Sequence, residues 1–261
     1  MADQQPIIEI NQVWKEYGSN IVLESLNLSV NQGDFISIVG ASGCGKTTFL
    51  NMLLGTETPS RGEILLDGEP LSQEPGVERG IVFQKYSVFP HLTALDNVVL
   101  GLEVDTQGTS SRLLGRLFGQ RKQDAIEQAR KILDQVGLLS AQDKYPHELS
   151  GGMRQRLSIA QALIKKPRIL LLDEPFGALD PGIRKDMHVL VKSLWKEQNL
   201  TVFMITHDLS EGFHLGSRLW VFDHARNDEQ APERFGAQVT FDIPTEQVEH
   251  SMPDLIQKKI A

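Results

Sequence analysis

Phe35-Ile-Ser-Ile-Val39-Gly40-Ala41-Ser42-Gly43-Cys44-Gly45-Lys46-Thr47-Thr48 is the stretch on which the reading of the chain turns. Phe35 to Val39 has the length and β-branched content of a buried strand. It stops at a glycine-rich turn, and an apolar helical stretch, Thr48 to Leu54, follows. Residues 40 to 47 fit the spacing G-x-x-x-x-G-K-[ST] in the strand–loop–helix setting that gives this pattern its meaning. Gly40, Gly43 and Gly45 let the backbone fold tightly, so that successive N–H groups from Gly40 to Thr48 converge on phosphate oxygens. The helix N-terminus adds a partial positive charge. In such a loop Lys46 bridges the β- and γ-phosphates of a nucleotide and Thr47 ligates Mg²⁺. Cys44 has a sharper reading as a redox switch near a helix N-terminus, but loop tolerance alone explains a cysteine there.

Further along, Arg168-Ile-Leu-Leu-Leu-Asp173-Glu174-Pro175 reads as a strand buried on both faces that ends in two adjacent carboxylates. Successive side chains on a strand point oppositely, so the pair serves two roles. Asp173 would hold Mg²⁺ through its hydration shell, and Glu174 would polarise an attacking water as general base. A solvated strand terminus is the plain alternative. A third apolar segment, Thr201 to Thr206, delivers His207 to a comparable position. A lone histidine is more often structural. At the C-terminal end of a parallel strand, where open α/β sheets place their ligands, a γ-phosphate contact is the better reading.

The bulk properties bound what surrounds these motifs. A length of 261 residues suits one large domain, or a core carrying an inserted subdomain. A net charge of −8 disfavours a nucleic-acid partner, because phosphate-backbone binding needs surplus Lys and Arg. The single cysteine excludes an intramolecular disulfide, and MADQQPIIEI has neither the charged region nor the apolar core of a signal peptide, so a reducing cytosol is expected. No apolar run approaches the ~18 residues that a membrane-spanning helix needs, so membrane contact is expected to come through a partner.

Short apolar strands alternate with helical patterns, which reads as α/β. Between Thr93 and about Met153 the pattern turns helical, with Ile126, Ala129, Leu133 and Val136 on one face and Gly137 as a C-cap. Asp105 to Lys122, rich in Gly, Ser and Arg, is the least structured part of this insert. Its basic residues Arg112, Arg116, Arg121 and Lys122 could meet anionic lipid or a partner, although a charge run is more often a solvated face. A second amphipathic helix is expected from about Ile183, with Met187, Leu190 and Leu194 inward. Asp223 to Arg234 reads as a loop, and Gln238 to Ile243 as a short strand before a helical tail.

Leu149-Ser150-Gly151-Gly152-Met153-Arg154-Gln155-Arg156 opens another helical run, so its serine and glycines sit at a helix N-terminus, a second potential anion site. The tetrapeptide alone is weak. Placed after a phosphate loop and shortly before an Asp-Glu strand, it resembles the ATPase domain of ATP-binding cassette (ABC) transporters, over residues 7 to about 222.

The resemblance implies a P-loop, RecA-like α/β core with an inserted α-helical signature subdomain, about 93–157, and an N-terminal antiparallel β region. The domain would run over 1–232, followed by a short tail, 233–261. ATP and Mg²⁺ are the implied cofactors and ATP hydrolysis the implied reaction. Tyr17 matches the aromatic that stacks on adenine. Gln84 matches the glutamine that senses Mg²⁺ and couples the site to a membrane subunit, through a groove near Phe89, Pro90 and His91. Leu179-Asp180 matches the loop that links two sites of a dimer, and His207 the switch histidine. Two such domains meet head to tail, so that Ser150, Gly151 and Gly152 of one complete the γ-phosphate site built on Lys46 of the other. The implied partners are therefore a second copy of the chain, an integral membrane permease that would hold this chain peripherally at the cytoplasmic face of the cell membrane, and a periplasmic or lipoprotein solute-binding protein.

Pro75-Gly76-Val77-Glu78-Arg79-Gly80-Ile81-Val82-Phe83-Gln84 and Asp173 to Asp180 look like the nitrate, sulfonate and taurine group of importer ATPases. The chain departs from that group in the longer insert at Asp105 to Lys122 and in having Asn227 to Gly236 in place of a Pro-Gly-Arg turn. The competing readings are a lipid-trafficking or export ABC ATPase, which shares every motif, and a soluble cassette protein of translation or DNA repair. Against the soluble cassette stand the acidic balance and the lack of tandem cassettes. A P-loop protein with dead chemistry is disfavoured by intact Lys46, Asp173, Glu174 and His207.

Overall fold

The computed structural model describes residues 5–84, 87–103, 119–226, 231 and 234–245. The chain opens with a hairpin, β1 (Ile8–Tyr17) and β2 (Asn20–Val30), and continues into β3 (Phe35–Gly40), whose glycine-rich end leads into α1 (Lys46–Leu54). The helix starts two residues before the apolar stretch that marks it in the sequence, so Lys46 and Thr47 form its first turn. Next come β4 (Arg61–Leu66), the two-residue β5 (Glu69–Pro70) and β6 (Arg79–Val82). The helical part comprises α2 (Ala94–Glu103), α3 (Gln120–Gln135), two 3₁₀ turns and α4 (Gly151–Leu163). The chain then alternates through β7 (Ile169–Asp173), α5 (Pro181–Gln198), β8 (Thr201–Ile205), α6 (Leu209–Leu215) and β9 (Arg218–Asp223) to β10 (Gln238–Pro244).

Two sheets result. β2-β1-β4-β5 is antiparallel, and β10-β9-β3-β8-β7-β6 is parallel except for β10, which runs against β9. Side-chain alternation explains why the central parallel strands β7 and β8 are apolar at all but one position each. Leu170, Leu172, Val202 and Met204 point into a core shared with α2 to α5. Their neighbours Ile169, Leu171, Phe203 and Ile205 point into a second core that holds α1 and the antiparallel sheet. The mixed α/β class and the N-terminal antiparallel region are as the sequence suggests.

Several details differ from the sequence reading. On α3, Ala129 and Leu133 are buried, as is Val136 at its end, but Ala125 takes the place expected of Ile126, which is half-buried. Gly137 follows with φ of 70°, its N–H on Asp134 O, closing the helix in the left-handed conformation. α5 begins earlier than expected because Pro181 fits the first helical position. Its buried stripe is Met187, Val191 and Leu194, with Leu190 only half-buried. The expected tail does not begin cleanly at 233. Gln238–Pro244 pairs with β9, and Gly236 N–H donates to Glu24, so this segment is an edge of the main sheet. Gln120 to Lys122 belong to α3, with Arg121 and Lys122 in its exposed first turn. Arg112, Arg116, the rest of the expected loose segment and the tail helix lie outside the described residues.

Candidate functional site

The parallel sheet carries β3, β7, β8 and β6 to one edge, and the loops that leave their C-terminal ends bring the phosphate loop, Asp173-Glu174, Thr206-His207 and Gln84 together. A cleft of about 910 Å³ opens there, lined by Gly40, Ala41, Ser42, Gln84, Glu174 and His207.

The phosphate loop is tightly seated. Gly40 has φ of 153°, and a Cβ there would stand 2.2 Å from the Phe222 carbonyl oxygen, so only glycine fits. Lys46 is buried, its ammonium donating to the carbonyls of Gly40 and Ala41, each at 2.7 Å. Cys44 is also buried, and burial pushes its thiol up despite the nearby Lys46 charge. A reactive thiolate needs exposure and a lowered pKa, so the redox-switch reading of Cys44 finds no support. Ser42, Gly43 and Thr47 face outward.

The acidic pair is divided in role by its surroundings. Asp173 ends β7, and burial, followed by the charge of Glu174, raises its carboxyl above the usual range. A hydrogen bond with Thr47 and the charges of Lys46 and His207 oppose the shift. Glu174 lies just past the strand with φ of 48°, a conformation that costs a non-glycine residue roughly 1–3 kcal/mol and recurs at functional sites. Its N–H on Ile205 O at 3.0 Å fixes it to β8. One carboxylate oxygen meets Nε2 of His207, and the other accepts from the Gln84 amide at 3.0 Å. Gln84 and His207 were singled out on separate grounds, and both touch the same side chain.

The remaining residues named from the sequence lie elsewhere. Tyr17 ends β1 with its ring exposed, and its hydroxyl meets Glu57 and Thr48. Burial and Glu57 together push its pKa up to about 12. Ser150 caps α4, its hydroxyl accepting from Met153 N–H at 3.3 Å, with Gly151 and Gly152 as the first helical residues. Gly152 packs against α5, where an added Cβ would stand 2.5 Å from Ile183 Cγ2. Asp180 is the residue before α5 and makes no side-chain capping bond. None of these lines the cleft.

The cleft also contains Arg184, Thr206, Asp208 and Glu211, which sequence reasoning did not name. One signal was available. Asp208 three residues before Glu211 is a helix-start pattern, and Asp208 Oδ1 does accept from Glu211 N–H at 3.2 Å.

The comparisons with known proteins bear on this arrangement. A family model described as ABC transporter matches residues 23–177, more than half of the chain. This chain belongs to the ABC transporter family. It is an ATPase domain of that family. The spermidine/putrescine import ATP-binding protein PotA of Chromobacterium violaceum is 40% identical over 231 residues, 87% of this chain and 60% of that protein. The nitrate import ATP-binding protein NrtD of Synechocystis sp. is 37% identical over 239 residues, 91% of this chain and 82% of that protein. The chain thus spans about three-fifths of the length of the PotA relatives it matches. Among solved structures, the ATP-binding cassette MJ0796, a dimer in a post-hydrolysis state bound to ADP and Pi, is 28% identical, with a TM-score of 0.71 over 91% of this chain and 98% of that one. Among the described residues no helix is long and apolar enough to cross a membrane.

Proposed function

We propose that this cassette hydrolyses ATP to drive solute import through a separate membrane permease, working as one of a pair of identical subunits. The observation that carries the reading is the placement of Glu174, held between Gln84 and His207 on the cleft that the phosphate loop also lines.

In this reading the backbone N–H groups from Gly40 to Thr48 cradle the phosphates, and Lys46 exchanges its two loop carbonyls for β- and γ-phosphate oxygens. Glu174 takes a proton from the attacking water. Its contacts with Gln84 and His207 fix the direction of its lone pairs, and His207 presents its ring to the γ-phosphate. Thr47 and Asp173, hydrogen-bonded to each other, and the Gln84 amide offer hard oxygen donors that suit Mg²⁺. When bound, that ion neutralises charge on the β- and γ-phosphates. Burial together with the charge of Glu174 makes Asp173 an uncomfortable anion, which nearby positive charge would relieve. Tyr17, exposed beside Thr48, would stack on the adenine ring.

Ser150, Gly151 and Gly152 lie away from their own cleft, which favours their serving the cleft of a second copy, with Asp180 between the two sites. The dimeric state of the MJ0796 cassette, bound to ADP and Pi, supports this. The names of PotA and NrtD support import. A permease as partner and a solute-binding protein that delivers the cargo at the far side of the membrane belong to the same proposal. Within importers, NrtD favours a small solute of the nitrate, sulfonate or taurine kind, since its similarity extends over most of both chains.

The deciding experiment has two stages. Purified chain should release phosphate from ATP only with Mg²⁺, and Glu174→Gln should lower kcat roughly 10²- to 10⁴-fold. Unchanged turnover in that variant would sink the assignment of the base. Tagged Glu174→Gln, held with Mg²⁺-ATP in detergent-solubilised membranes, should then co-purify a polytopic permease. Recovery of soluble proteins alone would overturn the transport reading and leave the ATPase standing.

A further inference from the structure

Three side chains on one face of α5 reach across to α6. Arg184 Nη1 lies 3.9 Å from the Asp208 carboxylate, His188 Nε2 lies 2.8 Å from Glu211 Oε1, and Lys192 Nζ donates to the His214 carbonyl at 2.7 Å. Residues 184, 188 and 192 stand one turn apart and therefore line up on α5. Their partners at 208, 211 and 214 advance along the start and body of α6 in step.

The middle rung is the buried one. The side chains of His188 and Glu211 are 13% and 6% exposed, against 31% and 48% for Arg184 and Asp208. A buried carboxylate must be hydrogen-bonded to remain charged. Glu211 has two such bonds, one from His188 and one from the Thr206 hydroxyl on its other oxygen. An ionised carboxylate only accepts, so His188 donates from Nε2 whether or not its ring is charged. Thr206 Oγ1 in turn accepts from Asp208 N–H at 3.1 Å. The residues on both sides of His207 are thus tied to Glu211, directly or through one bond. His188 also sets its ring edge-on to Phe176, 5.0 Å between centroids and two residues beyond Glu174. At the upper end of the ladder, Arg184 Nη2 donates to Leu179 O at 3.4 Å.

We propose that His188 and Glu211 are positioning residues that lock α5 to α6, so that the Leu179-Asp180 loop before α5 and the His207 loop before α6 move as one body. Each loop is continuous with the N-terminus of a rigid helix. A lock between the helices passes any displacement of Asp180 to His207, and through His207 to Glu174. Among the described residues, neither His188 nor Glu211 forms a hydrogen bond or ion pair with the phosphate loop, although Glu211 lines the same cleft. Their effect on turnover is exerted through His207, and that part of the inference rests on the ATP-hydrolysing reading.

The test compares wild type, His188→Phe and His188→Gln. Phenylalanine keeps a ring against Phe176 and removes the donor, and glutamine restores a donor. Phosphate release with Mg²⁺-ATP should show kcat about tenfold lower in His188→Phe, with KM for ATP within about twofold, and recovery to within about threefold in His188→Gln. Amide exchange followed by mass spectrometry should accelerate together over residues 179–184 and 206–212 in His188→Phe, by about tenfold or more. An unchanged kcat, a glutamine variant as slow as the phenylalanine one, or faster exchange confined to 206–212 would each overturn the lock. Should His188→Phe fail to fold because Glu211 loses a donor, the double variant His188→Phe/Glu211→Leu removes the buried charge as well. That protein should fold and keep the kcat deficit, and wild-type kcat in it would count against the proposal. If wild type itself releases no phosphate, the hydrolysis reading falls, and the exchange pattern alone decides whether the helices are locked.

Discussion

α1 and α4 begin in similar ways and end in different surroundings. α1 opens on Gly45-Lys46-Thr47 and α4 on Ser150-Gly151-Gly152, and each directs free N–H groups and a partial positive charge outward from its N-terminus. Around the start of α1, beside its own Lys46, the ends of the parallel strands have gathered two carboxylates, a histidine and a glutamine. The start of α4 is closed by its own serine and rests against Ile183 of α5, outside the cleft. A helix N-terminus is a generic anion seat. What sets the start of α1 apart is the convergence of β3, β7, β8 and β6 on a common edge beside it.

That contrast can be broken by experiment, and the largest effect should come from chain mixing. Lys46→Ala and Ser150→Arg should each lower turnover at least about 100-fold alone. Mixed in equal amounts they should recover roughly a quarter of wild-type turnover, since half the pairs then hold one site with both parts intact. No recovery would mean that Ser150 serves its own chain or none.

The two helix starts should also differ in tolerance of a single methyl group. Gly40→Ala forces a Cβ against the Phe222 backbone carbonyl, and should cost about 1–3 kcal/mol or more in denaturant unfolding. Gly152→Ala meets the Cγ2 methyl branch of Ile183 rather than backbone, and should cost less because a side chain can shift where a peptide cannot. Equal losses would show that both loops are equally rigid. Ser150→Ala removes the cap of α4 and should cost about 1 kcal/mol, measured the same way. A loss near zero would mean that solvent replaces the serine.

The smallest effect is a gain. Burial and Glu174 raise the carboxyl of Asp173, so its charge destabilises the fold above its folded pKa, and this penalty vanishes below the unfolded pKa, where the group is protonated in both states. Asp173→Asn should therefore raise Tm at neutral pH, with the gain fading as the pH falls through the carboxylate range. A gain independent of pH would point to packing.

The parts of this site that are legible in the sequence are the local ones. β3 with its loop, and β7 with its acidic end, announce themselves because strand, turn and chemistry are contiguous, and burial on both faces makes most strand positions apolar. Helix faces are less legible. A shift of one position on α3 exchanges Ile126 for Ala125, and α5 turns Val191 inward more fully than Leu190, because a 3.6-residue period leaves neighbouring positions nearly equivalent until a partner surface chooses between them. The bonds from α5 to α6 depend on the register of two helices separated in the chain by β8, which no short window reports. The company kept by Glu174 is a tertiary fact of the same kind, since Gln84 lies 90 residues away in sequence.

β10 has a practical consequence for anyone shortening this protein. A cut near residue 232, the end the sequence suggests for the domain, would delete the strand that runs against β9 and leave Arg218–Asp223, with Trp220 and Phe222, as the open border of the large sheet. A bare border of that kind recruits strands from other molecules. The truncated chain would be expected to precipitate or form soluble aggregates on a sizing column, with every residue of the cleft still in its sequence.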